Sequence, residues 1–171
     1  MPNLKTLKRI GLGTVIALMI AMWFYAFFLS PRESINRVGD RTWSSRAEEI
    51  CLASRTELGE LADTRRIQST EDLLIRADLV DEATNILDRM IGDVFRVLPT
   101  DDKGIAISEM WRRDYLTYLQ DRRSYIGLLR EGVNEPFSET QAEGIPLSEK
   151  LGTFARANNM DSCAPPSDLS V

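Results

Sequence analysis

The sequence predicts an all-α protein: an N-terminal transmembrane helix followed by an up-down, four-helix bundle-like ectodomain with one disulfide. Three observations predict it. Residues 10–29, IGLGTVIALMIAMWFYAFFL, run for twenty residues without a charge. Four later stretches repeat apolar residues every three or four positions, the period of a helix buried on one face. Cys51 and Cys163 are the only two cysteines, and an up-down bundle brings their segments together.

The composition limits the function classes. A chain of 171 residues fits one domain plus accessories. Its 43% hydrophobic and 27% charged residues are those of a folded chain. All 26 acids follow the apolar run, whereas Lys5, Lys8 and Arg9 precede it, so the body is more acidic than the net charge of −5 suggests. An acidic body is ill suited to nucleic acid, whose binding depends on neutralising phosphates. The chain has no histidine, which removes Ser-His-Asp and Cys-His catalysis and the commonest zinc ligand. Two cysteines cannot close a structural zinc site, and no cofactor or metal is expected.

The elements follow in order. Residues 1–9 read as a cytoplasmic tail, because Lys5, Lys8 and Arg9 precede the apolar run and positive flanks stay inside. Residues 10–29, at about 1.5 Å each, span roughly the 30 Å of a bilayer core. A cleaved signal peptide would have a shorter apolar run of about 7–15 residues and a small-residue exit. The exit here is FYAFFLSP, so the segment reads as an uncleaved, single-pass signal anchor with the C-terminus extracytoplasmic. Gly13, Ala17 and Ala21, four apart, line one face and form a candidate seam for a second copy. Residues 30–42 read as a juxtamembrane linker.

The extracytoplasmic helical domain is expected over 43–163. Its first helix, about Trp43 to Leu61, aligns Trp43, Ala47, Ile50, Ser54, Leu58 and Leu61. The second starts at Ser69 or Thr70, which can cap it, and Pro99 ends it. Its stripe is Leu79, Ala83, Ile86, Met90, Val94 and Val97, widened by Leu87, Ile91, Phe95 and Leu98. A short turn leads to a third helix, about Ile105 to Arg130. The sixteen residues EGVNEPFSETQAEGIP then carry two prolines, two glycines, four glutamates and no base, an acidic loop. A last helix, about Leu147 to Asn158, offers Leu147, Leu151, Phe154 and Ala155 to the core, and 164–171 reads as a flexible tail. No β-alternation outweighs these patterns. Cys51 lies early in the first helix and Cys163 just past the last, and the up-down order places both at one end. An intramolecular Cys51–Cys163 bond is therefore expected, as against two free thiols or a link between chains.

The third helix reads MWRRDYLTYLQDRRSYIGLLR. At about 100° per residue, Trp111, Tyr115, Tyr118, Arg122, Tyr125 and Leu129 fall on one stripe. An arginine on an aromatic stripe is either an anion-binding group with tyrosine hydroxyls beside it, or a structural ion packed on rings and paired with an acid. Asp114, Asp121, Asp81 and Asp88 are the expected partners. Arg112, Arg113 and Arg123 read as solvated. The loop around Glu135, Phe137 and Glu139 is a candidate contact surface, since long loops often bind, or a plain connection with Phe137 pinned to the bundle. Adjacent acids such as Glu48 and Glu49 point about 100° apart on a helix and make no two-carboxylate site. Ser148 and Lys150 look like a capped first turn rather than a Ser-Lys pair.

Two stretches carry a resemblance. Trp111 to Tyr125 reads W-R-R-D-Y-L-x-Y-L-x-D-R-R-x-Y, and Phe154 to Pro166 reads F-A-x-A-N-x-M-x-S-C-A-P-P. With the signal anchor, these resemble single-pass bacterial envelope proteins that have a disulfide-tied helical ectodomain. The resemblance implies the same topology and the Cys51–Cys163 pairing, and no activity. The expected function is that of a membrane-anchored, extracytoplasmic, non-catalytic helical module acting through contacts with another membrane or envelope protein. The alternative is a ligand-binding ectodomain reading a small anion near Arg122, which would need a partner to signal, because nine residues hold no output domain.

Overall fold

The computed structural model describes residues 4–29, 35–61 and 66–169. The chain divides into two compact units, Met1–Ser34 and Ile35–Val171. In the first, α1 (Leu4–Phe24) passes into a π-helical turn (Tyr25–Leu29). Every side chain from Gly13 to Phe28 is exposed, and the rings of Trp23 and Phe27, and of Phe24 and Phe28, stack along the helix at 5.3 and 5.0 Å. Among the described residues no helix is long and apolar enough to cross a membrane. α1 begins with the basic residues of LKTLKR, and the apolar run divides where α1 gives way to the π turn. The transmembrane helix expected over 10–29 is therefore not supported by this element.

The second unit is helical and bundle-like. α2 (Arg41–Glu60) starts two residues before the expected Trp43, because the Asp40 carboxylate accepts from Trp43 N at 3.0 Å and caps it. α3 (Thr70–Val94) opens with a reciprocal cap between Ser69 and Asp72. It ends four residues short of the expected Leu98. Phe95 turns into the core, while Val97 and Leu98, assigned to the buried stripe, are exposed. The freed carbonyls explain this end: Trp43 Nε1 donates to Val97 O, and Arg46 Nη2 donates to Val94 O and Val97 O, all at 2.9 Å. α4 (Asp102–Arg130) starts three residues early, because Asp101 caps Gly104 N at 2.7 Å. A Cβ on Gly104 would sit 2.6 Å from Asp101 Oδ1, so only glycine admits this carboxylate.

The acidic loop is not structureless. Gln141–Ala142 (β1) and Ile145–Pro146 (β2) pair antiparallel around Glu143 and Gly144, whose φ values are 56° and 79°. α5 (Leu147–Ala157) and a 3-10 turn (Asp161–Cys163) follow. α3 packs on α2 and α4, and α4 packs on α5. α2 and α5 meet through the 3-10 turn, which carries Cys163. Cys51 and Cys163 form the expected disulfide, with Cα atoms 5.0 Å apart.

Two apolar clusters fill the unit. The larger gathers Trp43, Ala47, Cys51, Met90, Trp111 and Leu151. The smaller joins the start of α3 to the end of α4 through Leu73, Ala77, Tyr125 and Leu129, and Leu169 of the tail completes it. Rings run between the clusters without a break: Trp43, Phe95, Trp111, Tyr115, Tyr118, Phe137 and Tyr125 follow one another with centroids 5.4 to 6.1 Å apart.

The disulfide closes a loop of 112 residues, which the chain-entropy account values at about 4–5 kcal/mol. Cys51→Ser, Cys163→Ser and the double variant are expected to lose the same stability, since each opens one covalent loop. Denaturation midpoints with and without reductant check this. Additive losses would show that the two thiols stabilise separately.

Candidate functional site

The site begins with one side chain. Arg122 points from the middle of α4 into the bundle and is 0% exposed. Its Nε donates to Thr84 Oγ1 of α3 at 2.9 Å. Nη1 and Nη2 donate to the two oxygens of Asp168, at 2.9 and 2.7 Å. Nη1 also reaches the Tyr118 hydroxyl at 3.4 Å, and the guanidinium lies 5.8 Å from that ring's centre. Burial works against the charge of Arg122, but the hydrogen bonds and charge of Asp168 outweigh it, with help from Tyr118, and its pKa rises.

The partner is not on the expected helices. Asp114 pairs with Lys150 of α5 at 2.8 Å, and Asp88 and Asp81 pair with Arg123 and Arg130 at 2.6 and 2.8 Å. Asp121 accepts from Thr140 N and Oγ1 at 2.7 and 3.1 Å, tying the acidic loop to α4. Asp168 comes from the segment expected to be a flexible tail. Residues 164–169 instead lie along the bundle, and 170 and 171 fall outside the described residues. Arg55 of α2 donates to the carbonyls of Ser162 and Ala164. Glu48 accepts from Ser162 N and Oγ. Arg76 of α3 donates to Asp168 O, and Leu169 is buried in the smaller cluster.

The two sequence candidates meet here. Phe137 of the loop packs edge-on against Tyr118 and Tyr125 of the aromatic stripe, at 6.0 and 5.6 Å. Between the loop, α5 and the tail lies an open cleft of about 500 Å³. Tyr118 and Phe137 stand on one side, Pro165, Pro166 and Leu169 on the other, with Arg156 of α5 at its edge. Glu139 lines it too, but its carboxylate accepts from Ser148 N and Oγ, both at 2.7 Å, and caps α5. Ser148 and Lys150 are thus each engaged elsewhere. Glu135 is exposed beside the cleft and does not line it. Trp111 is structural: its Nε1 donates to Leu151 O, and its ring stacks on Phe154 at 5.1 Å. Gly13, Ala17 and Ala21 are exposed on α1.

Sequence reasoning missed Asp168, Thr84, Arg156 and the tail prolines. Asp168 left one usable signal, an acid beside a leucine a few residues beyond a staple. Among the described residues no group of acids and cysteines is arranged to hold a metal ion.

Tyr115 stands apart, with a fully buried hydroxyl that has no partner among the described residues. Burial pushes its pKa far up, and the neighbouring Tyr118 adds to this. The folded value lies above the unfolded value of about 10. The unfolded chain therefore gives up this proton first, and stability is intact below about pH 10 and falls as pH rises beyond it. Tyr115→Phe is expected to gain about 1 kcal/mol at neutral pH, because an unsatisfied buried hydroxyl costs about 1–3. It should also flatten the alkaline loss, leaving the part due to Tyr118, whose hydroxyl is likewise raised by burial. Urea midpoints between pH 7 and 11 measure both. A variant less stable than the parent would show that the hydroxyl holds a partner.

No family model matches the chain, and no curated protein and no solved structure matches it.

Proposed function

We propose that the protein is a membrane-anchored, extracytoplasmic, non-catalytic module that works by contact with another membrane or envelope protein, through the cleft between the acidic loop and the tail. One observation carries the contact reading. Arg122, the group that could read a small anion, is fully buried and holds Asp168 with both terminal nitrogens. The cleft beside it is open, and its lining mixes Tyr118, Phe137 and three prolines with Glu149, Arg156 and Ser167. Such walls suit a polypeptide segment, whose apolar side chains bury against rigid surface at little entropic cost. The alternative, a small anion read near Arg122, is less favoured because both terminal nitrogens of Arg122 are held by Asp168.

The anchor is supported by the uncharged residues 10–29 behind Lys5, Lys8 and Arg9. Side chains as large as Ile20, Trp23 and Phe28 are exposed there, on a helix apolar on all sides. The disulfide fits an oxidising compartment. Gly13, Ala17 and Ala21 offer a second copy a close approach, since a Cβ on Gly13 would meet nothing within 4 Å.

A reporter active only outside the cytoplasm, fused after Val171, is expected to be active, and a cytoplasmic reporter silent. The reverse would overturn the anchor. A photo-crosslinking residue at Ser167 or Glu149, which line the cleft, is expected to capture a membrane or envelope protein in native membranes. The same residue at exposed Arg113 should not. Equal capture from all three positions would remove the cleft as the contact.

A further inference from the structure

A second, smaller cavity lies where the chain enters α2. It holds about 70 Å³ between Arg37, Arg41, Ser45 and Asn159, and no acid lines it. A single water needs only about 10–15 Å³. Asn158 forms its floor and is fully engaged. Its Oδ1 accepts from Val38 N at 2.8 Å, and its Nδ2 donates to Asn36 O and Phe154 O, both at 2.9 Å. Asp40, the nearest acid in sequence, does not line the cavity. Its carboxylate accepts from Trp43 N, Thr100 N and Thr100 Oγ1, and those hydrogen bonds hold its pKa below the usual carboxylate value. Several other arginines of this unit are engaged, Arg46 and Arg55 on carbonyls and Arg122, Arg123 and Arg130 on carboxylates; Arg66 and Arg113, both exposed, are not engaged among the described residues, and neither lines this cavity. Arg37 and Arg41 have neither kind of partner among the described residues.

We propose that Arg37 and Arg41 form a phosphate site, with the Ser45 hydroxyl and the Asn159 amide as further donors. Arginine suits this ligand because its planar fork gives two parallel hydrogen bonds to phosphate oxygens. Two forks, a hydroxyl and an amide supply donors from several sides, which matches a tetrahedral oxyanion better than a planar carboxylate. The favoured source is the headgroup of a bilayer phospholipid. Arg37 follows the uncharged run 10–29 by only eight residues in the sequence. The same end of the unit carries exposed apolar side chains: Ile35 is 85% exposed, Val97 54% and Leu98 42%. Trp43 Nε1 and Thr100 fasten that loop to the start of α2. Apolar tips beside unpaired cations are the chemistry of a surface that seats on headgroups. The choice of a lipid source rests on the anchor proposed above; the phosphate site does not.

The test uses the full chain in nonionic detergent, read by native mass spectrometry. The probes are phosphatidylglycerol, diacylglycerol with the same acyl chains, and inorganic phosphate. Retention of phosphatidylglycerol but not diacylglycerol is expected, displaced by excess inorganic phosphate, and weakened about tenfold or more in Arg37→Gln/Arg41→Gln. Arg113→Gln should retain it fully. Retention of inorganic phosphate alone keeps the site and assigns it a free, soluble phosphate rather than a lipid headgroup. Retention that ignores the arginine substitutions, or no retention of either phosphate, overturns the proposal. A second reading needs no variant: inorganic phosphate should slow phenylglyoxal modification of Arg37 and Arg41 in the parent chain, and equal rates with and without it count against the site. The anchor is judged separately by alkaline extraction of native membranes. A chain released by that wash loses the anchor, whatever phosphate does in detergent.

Discussion

The buried guanidinium of Arg122 is the constraint on which the rest of the helical unit depends. An ion taken out of water costs several kcal/mol unless its charge and all its donors are answered. Thr84 answers one N–H from α3, and Tyr118 gives a weak contact from the same helix. Among the described residues the charge itself is answered only by Asp168, through a two-pronged pair. The fold must therefore bring a distant segment across the bundle and hold it there.

The disulfide makes that affordable. It fixes the chain at Cys163, five residues before Asp168, so the carboxylate searches a small volume rather than that of a free tail. Arg55 and Glu48 grip the segment around the staple, and Arg76 grips it at Asp168. Leu169 then closes the smaller apolar cluster, where the start of α3 and the end of α4 would otherwise face water. The cleft is a by-product of the same arrangement. Its far wall is the strap that Asp168 pins, and its near wall is Phe137, held by the rings around Arg122. The cleft is completed by one face of α5, from Ser148 through Gly152 to Arg156.

Much of the architecture was legible because it is periodic. The helices announce themselves by apolar spacing, and the Cys51–Cys163 bond expected from them is present. Arg122 falls on the aromatic stripe of its helix by angle alone, which places it inside. Its partner could not be read in that way. The sequence has 26 acids, and helical angles rank only those on helices; a strap acid has no period. The errors at Val97 and Leu98 have a related origin. The apolar spacing continues past Val94, but Trp43 and Arg46 capture the carbonyls there and stop the helix. The hairpin at Gln141–Pro146 is too short for alternation to register. Glu139 and Phe137 were found as a pair of residues on an exposed loop, but one caps α5 and the other packs on Tyr118 and Tyr125. The proposed phosphate site was invisible because Arg37 and Arg41 fall in the stretch read from sequence as a linker, where no pattern says which charges lack partners.

The most direct measurement of the central claim is a double-mutant cycle on the strap, read by chemical denaturation of Arg122→Ala, Asp168→Ala and the double variant. Removing either partner leaves the other buried and uncompensated, which typically costs about 3–5 kcal/mol. The double variant leaves neither charge, so its loss should fall well short of the sum, with a coupling of at least about 2 kcal/mol. Single variants as stable as the parent, or losses that simply add, would contradict the account and return Arg122 to the status of a group waiting for a ligand.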